Sequence, residues 1–99
     1  MKLRAQLQEG KAIGYLFWCP GCKEAHAFRI VKLGPDAPVW QFNGDVERPT
    51  FAPSLLYYGD KKTTKRCHLT LVNGELSFLN DCEHALKGKK TALPDWPGL

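Results

Sequence analysis

Ninety-nine residues, 43% apolar and 24% charged, suffice for one modest hydrophobic core and argue against a disordered chain. The formal net charge of +4 suits nucleic acid, an anionic membrane surface or an acidic protein, yet no RNA-binding signature or basic helix accompanies it, and a solvated basic surface explains it more simply. The apolar run Ala12 to Trp18 is too short to span a membrane, and no small-residue cleavage site follows it. The expected compartment is therefore a reducing cytoplasm, with no membrane partner.

The chain reads as a single domain, 1–99, built of short strands. Nine glycines and seven prolines are scattered along it, and no segment keeps a helical apolar period for three turns. Lys2 to Gln8 alternates weakly. Ile13 to Trp18 reads as a strand that ends at Cys19-Pro20-Gly21-Cys22, and His26 to Leu33 as the strand leaving it, so the cysteine turn closes a hairpin. Gly34 to Pro38 is a loop, Val39 to Phe42 a short strand and Asn43-Gly44-Asp45 a turn. Arg48 to Leu56 carries Pro49 and Pro53, which lack an amide donor, and reads as an irregular extended segment or a sheet edge.

Tyr57 to Lys65 is a polar, basic excursion. Arg66 to Val72 and Glu75 to Leu79 flank Asn73-Gly74, a pair suited to both left-handed positions of a type I′ turn. Asp81 to Leu86 fits one helical turn, capped by Asp81 and stopped at Gly88. In the tail, Trp96 is expected to pack down. Trp18, Trp40 and Trp96 read as core rather than as base-stacking platforms.

A two-residue turn at Asn73-Gly74 fixes the pairing of that hairpin: Val72 with Glu75, Leu71 with Leu76, Thr70 with Ser77, Leu69 with Phe78 and His68 with Leu79. Alternation then places Cys67, Leu69, Leu71, Leu76 and Phe78 on one apolar face, joined by Cys82 if the strand persists that far. His68, Thr70, Ser77 and Asp81 fall on the opposite, polar face. Cys67 and His68 should therefore serve different sites.

The four cysteines form one tight pair and two distant singles. Cys19, Cys22, Cys67 and Cys82 are assigned to a structural zinc ion, because a full thiolate shell is closed and would staple a thin β scaffold. Cys82-Glu83-His84 offers both sulfur and imidazole, and His26 lies just beyond the knuckle, so the fourth ligand stays open among Cys82, His84, His68 and His26. A lone histidine such as His26 is more often a packing residue. A redox Cys-x-x-Cys pair is disfavoured, since no thioredoxin-like strand–helix unit surrounds it.

Three stretches concentrate polar chemistry: Trp40 to Asp45, Arg48 to Leu55, and Cys67-His68 with Asp81-Cys82-Glu83-His84. On these motifs, from the knuckle to Leu93-Pro94-Asp95-Trp96, the chain resembles a family of small phage and prophage proteins. More distantly it is similar to the small proteins encoded beside bacterial ubiquitin-like conjugation enzymes, matching at Cys19 and Cys22, Pro53-Ser54-Leu55, Cys67-His68 and Gly74. That resemblance implies a peptidase acting on ubiquitin-like proteins.

On chemical grounds, Ser54 would need an imidazole to take its proton, and His68 can serve, oriented by Asp81; His84 is the alternative base. Turn or cap roles compete for Ser54 and Asp81. The expected fold is a compact, mainly β domain of five to seven short antiparallel strands with at most one short helix. Two functions fit. One is a peptidase-like hydrolase with a protein substrate. The other is a non-catalytic zinc module that binds protein or nucleic acid through Lys61, Lys62, Lys65 and Arg66.

Overall fold

A computed structural model describes residues 1–58 and 66–98. The described residues contain eight strands and no helix. Strands β1 (Arg4–Gln8), β2 (Lys11–Cys19) and β3 (Glu24–Arg29) make one antiparallel sheet in that order. Strands β4 (Gln41–Phe42), β5 (Phe51–Tyr58), β6 (Arg66–Val72), β7 (Glu75–Phe78) and β8 (Lys90–Ala92) make a second, also antiparallel and in chain order. The radius of gyration is 13.1 Å, the value of about 13 Å expected of a compact chain of this length.

The two cysteine-bearing hairpins form where the sequence places them. Cys19 pairs with Glu24 across the knuckle, and the Lys23 amide donates to the Cys19 carbonyl at 2.8 Å. Asn73 and Gly74 both adopt positive φ, 49° and 76°, as a type I′ turn requires. The pairing of Val72 with Glu75 through Leu69 with Phe78 follows the anticipated register, and the Leu79 amide extends it to the His68 carbonyl at 2.9 Å.

The inner faces of both sheets meet in one hydrophobic cluster. Phe17 and Phe28 enter from the first sheet; Phe51, Leu55, Leu69, Leu71, Leu76 and Phe78 enter from the second. The Phe28 and Phe51 rings lie 4.6 Å apart and seal the two layers. Each such buried side chain contributes roughly 1.5–3 kcal/mol of transfer free energy. In the tail, the Trp96 amide donates to the Met1 carbonyl at 2.7 Å, so this segment is held down as anticipated.

Some local expectations change. The eighth strand was not anticipated: Gly88, at φ 72°, reverses the chain so that β8 covers the outer side of β7. Residues 81–86 form turns rather than a helical turn, because the Glu83 amide and carboxylate both bond Arg66 backbone and hold the segment along β6. Strand β5 lies between β4 and β6 in the sheet order, yet it keeps the anticipated irregular, partly edge-like character: its ladder to β6 slips between Phe51 and Leu55, and β4 covers only Phe51 and Ala52, leaving room for Pro53, which has no amide to pair. The tryptophans are half-buried rather than fully inside; Trp40 packs against the core as anticipated, on Phe51 with ring centroids 6.5 Å apart. The lysines at 61, 62 and 65, with most of the basic excursion, lie outside the described residues.

Candidate active site

Strand β6 is regular, and the chain on each side of it is not. On the β5 side, Phe51 pairs with Leu71 and Leu55 with Leu69, so three residues, Ala52 to Ser54, oppose the single residue Thr70. On the other side, the Leu79 amide bonds the His68 carbonyl and the Glu83 amide bonds the Arg66 carbonyl, both at 2.9 Å. Asn80, Asp81 and Cys82 thus oppose Cys67 alone. Extra residues in a ladder re-aim side chains. Here one irregularity carries Ser54 and the other carries Asp81, and both converge on His68.

The resulting contacts form a continuous chain. Ser54 Oγ lies 2.9 Å from His68 Nε2, and His68 Nδ1 lies 3.1 and 3.0 Å from the two Asp81 carboxylate oxygens. A carboxylate only accepts, so Nδ1 carries the proton and Nε2 presents its lone pair to the serine hydroxyl. The His68 side chain is 24% exposed and that of Asp81 44%, so the group opens to solvent on the outer face of the sheet. Pro53, next to the serine, carries no N–H. The Ser54 carbonyl accepts the Trp40 indole N–H at 3.4 Å.

On the inner face, Cys19, Cys22, Cys67 and His26 bring their ligand atoms within 4.8 Å of one another, a group able to hold a metal ion. The cysteines are free thiols, and Cys19 Sγ and Cys67 Sγ are 3.9 Å apart. Thiol hydrogen bonds from Cys22 and Cys67 pull the Cys19 thiol well below its usual value. The bond to Cys19 pushes Cys22 up to about 12, and Cys67 is raised for the same reason. One thiolate is thus favoured and further negative charge beside it is resisted, a conflict that a cation removes.

His26, one of the alternatives open for the fourth ligand, takes the place that the four-thiolate assignment gave to Cys82. It is 1% exposed, and its Nδ1 contacts the Ala25 carbonyl at 3.2 Å, an acceptor, which places the proton on Nδ1. Its Nε2 is buried with no hydrogen-bond partner. Alternation contained the signal: His26 pairs with Phe17, two residues before Cys19 on the same strand, so all three share a face.

Cys82 is buried, but the strand does not persist to it as alternation required, and it does not join Cys19 and Cys22. The strand ends at Phe78, and the turn that follows brings Cys82 Sγ to the backbone of His68. There it accepts the amide at 3.1 Å and donates to the carbonyl at 3.0 Å. It also lies within 4.8 Å of Cys67 and His84. His84, considered as an alternative base, is on the wrong face for Ser54. Its ring meets Phe78 edge-on at 4.7 Å, and a Cβ on Gly21 would collide with it. The Leu86 amide donates to its Nδ1, so Nε2 is the donor toward Cys67 Sγ at 3.4 Å.

Arg66, named for a basic face, stacks over Tyr58 at 5.8 Å. No helix among the described residues is long and apolar enough to cross a membrane.

Fold and site together define a small two-sheet β protein carrying a Ser–His–Asp hydrogen-bond chain on one face of a strand and a Cys/His cluster on the other. A family model described as bacterial ubiquitination-like system serine protease (BubE) matches residues 2–79, and the chain belongs to that family. No curated protein and no solved structure matches it. The family assigns a peptidase-like role in a ubiquitination-like system, with proteins as the natural class of substrate or partner.

Proposed function

We propose that this chain is a serine peptidase that cleaves a protein substrate within a ubiquitination-like system. The observation that carries this reading is the Ser54–His68–Asp81 chain, with contacts of 2.9 and 3.0 Å in the required order. Ser54 Oγ attacks the scissile carbonyl carbon while His68 Nε2 takes its proton. The tetrahedral intermediate collapses, His68 returns that proton to the departing amine, and an acyl-serine remains. Water, deprotonated by the same nitrogen, then hydrolyses the ester and restores Ser54. Asp81 holds the imidazole in the productive tautomer and stabilises its charged form.

The Cys19, Cys22, His26 and Cys67 group is proposed to hold a structural zinc ion, in place of the four-thiolate set that includes Cys82. A tetrahedron with Zn–S bonds of about 2.3 Å has an S···S edge of about 3.8 Å, close to the 3.9 Å between Cys19 and Cys67. The buried, unpartnered His26 Nε2 supports it as the fourth ligand, with its Nδ1 proton on the Ala25 carbonyl as an outer contact. Four protein ligands close the shell, so the ion supplies folding energy and cross-linking rather than an activated water. His84 would donate its N–H to the Cys67 sulfur. Free thiols of this kind fit a reducing compartment such as the cytoplasm.

Incubation of purified protein with a C-terminally extended ubiquitin-like protein, read by mass spectrometry, tests the reading. Cleavage by the parent chain and none by Ser54→Ala or His68→Ala, with both variants folded, is expected. Equal cleavage by parent and Ser54→Ala would remove it.

A further inference from the structure

Ser54 has different neighbours on its two flanks. His68 of β6 occupies one side, and Trp40, just before β4, occupies the other through its indole bond to the Ser54 carbonyl. Strand β4 pairs only with Phe51 and Ala52, so among the described residues no strand flanks β5 on that side beyond Ala52. This open rim offers a peptide one route to Ser54 on the side away from the imidazole.

An open cleft lies at the rim. It has a volume of about 500 Å³ and is lined by Ile30, Val39, Trp40, Gln41 and Phe42. A smaller one of about 250 Å³ shares the Gln41 and Phe42 walls and reaches Ala52, two residues before Ser54. The larger volume falls within the roughly 300–1,000 Å³ typical of ligand sites. Its lining is aliphatic and aromatic with one amide and no ionisable group. Val39 leaves 42% of its surface in water at the cleft, and Trp40 and Phe42 are half-buried. Covering such surface is favourable, whereas a charged side chain placed there would lose hydration and find no counter-charge.

We propose that this cleft receives an apolar side chain, of leucine or phenylalanine type, from the peptide segment being cleaved. The inference rests on the peptidase reading of Ser54 and adds its specificity. Trp40 couples the two functions, since it lines the cleft while its indole N–H bonds the carbonyl of the residue that carries the nucleophile.

Binding can be measured without turnover in the Ser54→Ala protein. Blocked, alanine-based octapeptides with a single varied position (Leu, Phe, Ala or Asp) are titrated while amide and indole signals are followed by NMR. The Leu and Phe peptides should shift the Trp40 indole and Val39 amide signals and bind about ten- to hundredfold more tightly than the Ala and Asp peptides. Adding Val39→Asp, a change at a half-exposed position that keeps a dispersed spectrum, should remove that preference. Equal affinity across the four peptides, shifts confined to other regions, or an unchanged preference in the Val39→Asp protein would overturn the cleft assignment. Hydrolysis of the same peptides by the parent chain is scored separately. Ser54-dependent cleavage without an apolar preference removes the cleft and leaves the peptidase. Apolar binding at the cleft with no cleavage of any substrate retains the cleft as a binding site and removes the peptidase.

Discussion

Cys67 and His68 are consecutive residues of β6 that face opposite sides of the sheet: the thiol lies 3.9 Å from Cys19 Sγ in the interior, while the imidazole meets Ser54 Oγ at 2.9 Å outside. One peptide unit thus joins the metal-competent cluster to the proposed catalytic chain. Cys82 reinforces the junction by bonding both the amide and the carbonyl of His68. A cation drawing Cys67 toward the β2–β3 hairpin would fix the strand that aims the base.

Replacement of Ser54 by alanine should abolish cleavage, with a loss on the order of 10⁴-fold or more. The serine side chain is half-buried and, among the described residues, has one side-chain partner, so unfolding should change by no more than about 1 kcal/mol. Denaturant titration and product mass spectrometry on the same sample check both parts.

Asp81→Asn is expected to lower the turnover number by roughly 10⁴-fold while leaving the fold intact, since an amide can drive the imidazole into the unproductive tautomer. Steady-state rates against a fluorogenic substrate, alongside the NMR signature of the His68 ring, would detect this. A loss in substrate affinity alone would instead mark Asp81 as a turn residue.

The ligand set separates by mutation. Native mass spectrometry should find one zinc per parent chain, a sharply weakened ion in Cys19→Ser and His26→Ala, and a retained ion in Cys82→Ser. Loss of zinc from Cys82→Ser with full retention in His26→Ala would restore the four-thiolate assignment. Stripping the ion with a chelator should lower the melting temperature and activity together, because Cys67 and His68 share β6.

Asp45 gives a pH-dependent control remote from the chemistry. Its carboxylate accepts the Arg48 and Glu47 amides, which holds its titration below the usual 3.8. A lowered folded-state value means that the contribution is fully present above the unfolded value and is lost as pH falls through the folded one. Asp45→Ala should therefore melt earlier than the parent near neutrality, and the gap should close as the buffer is taken below about pH 3.8. Thermal scans across that range measure it.

The hairpin around Asn73-Gly74 was legible in full, because a two-residue turn with a left-handed pair leaves one register. From that register came the inner position of Cys67 and the outer position of His68. Ser54, His68 and Asp81 could be nominated by residue type, since a hydroxyl, an imidazole and a carboxylate are the parts such chemistry needs. The Cys-x-x-C knuckle likewise announced a thiol cluster and the hairpin it closes.

Distances and the fourth ligand were not legible. Alternation cannot foresee the extra residues on either side of β6, which turn Ser54 and Asp81 toward one imidazole and move Cys82 onto the His68 backbone. It puts His26 on the face of Cys19, but it cannot say that Cys67, from the other sheet, meets them there or that the imidazole arrives with a bare nitrogen. Local pattern fixes which face a side chain takes, because the pleat repeats every two residues. Which side chains from separate strands meet is decided by how two sheets pack and where their ladders break, and those are properties of the assembled chain.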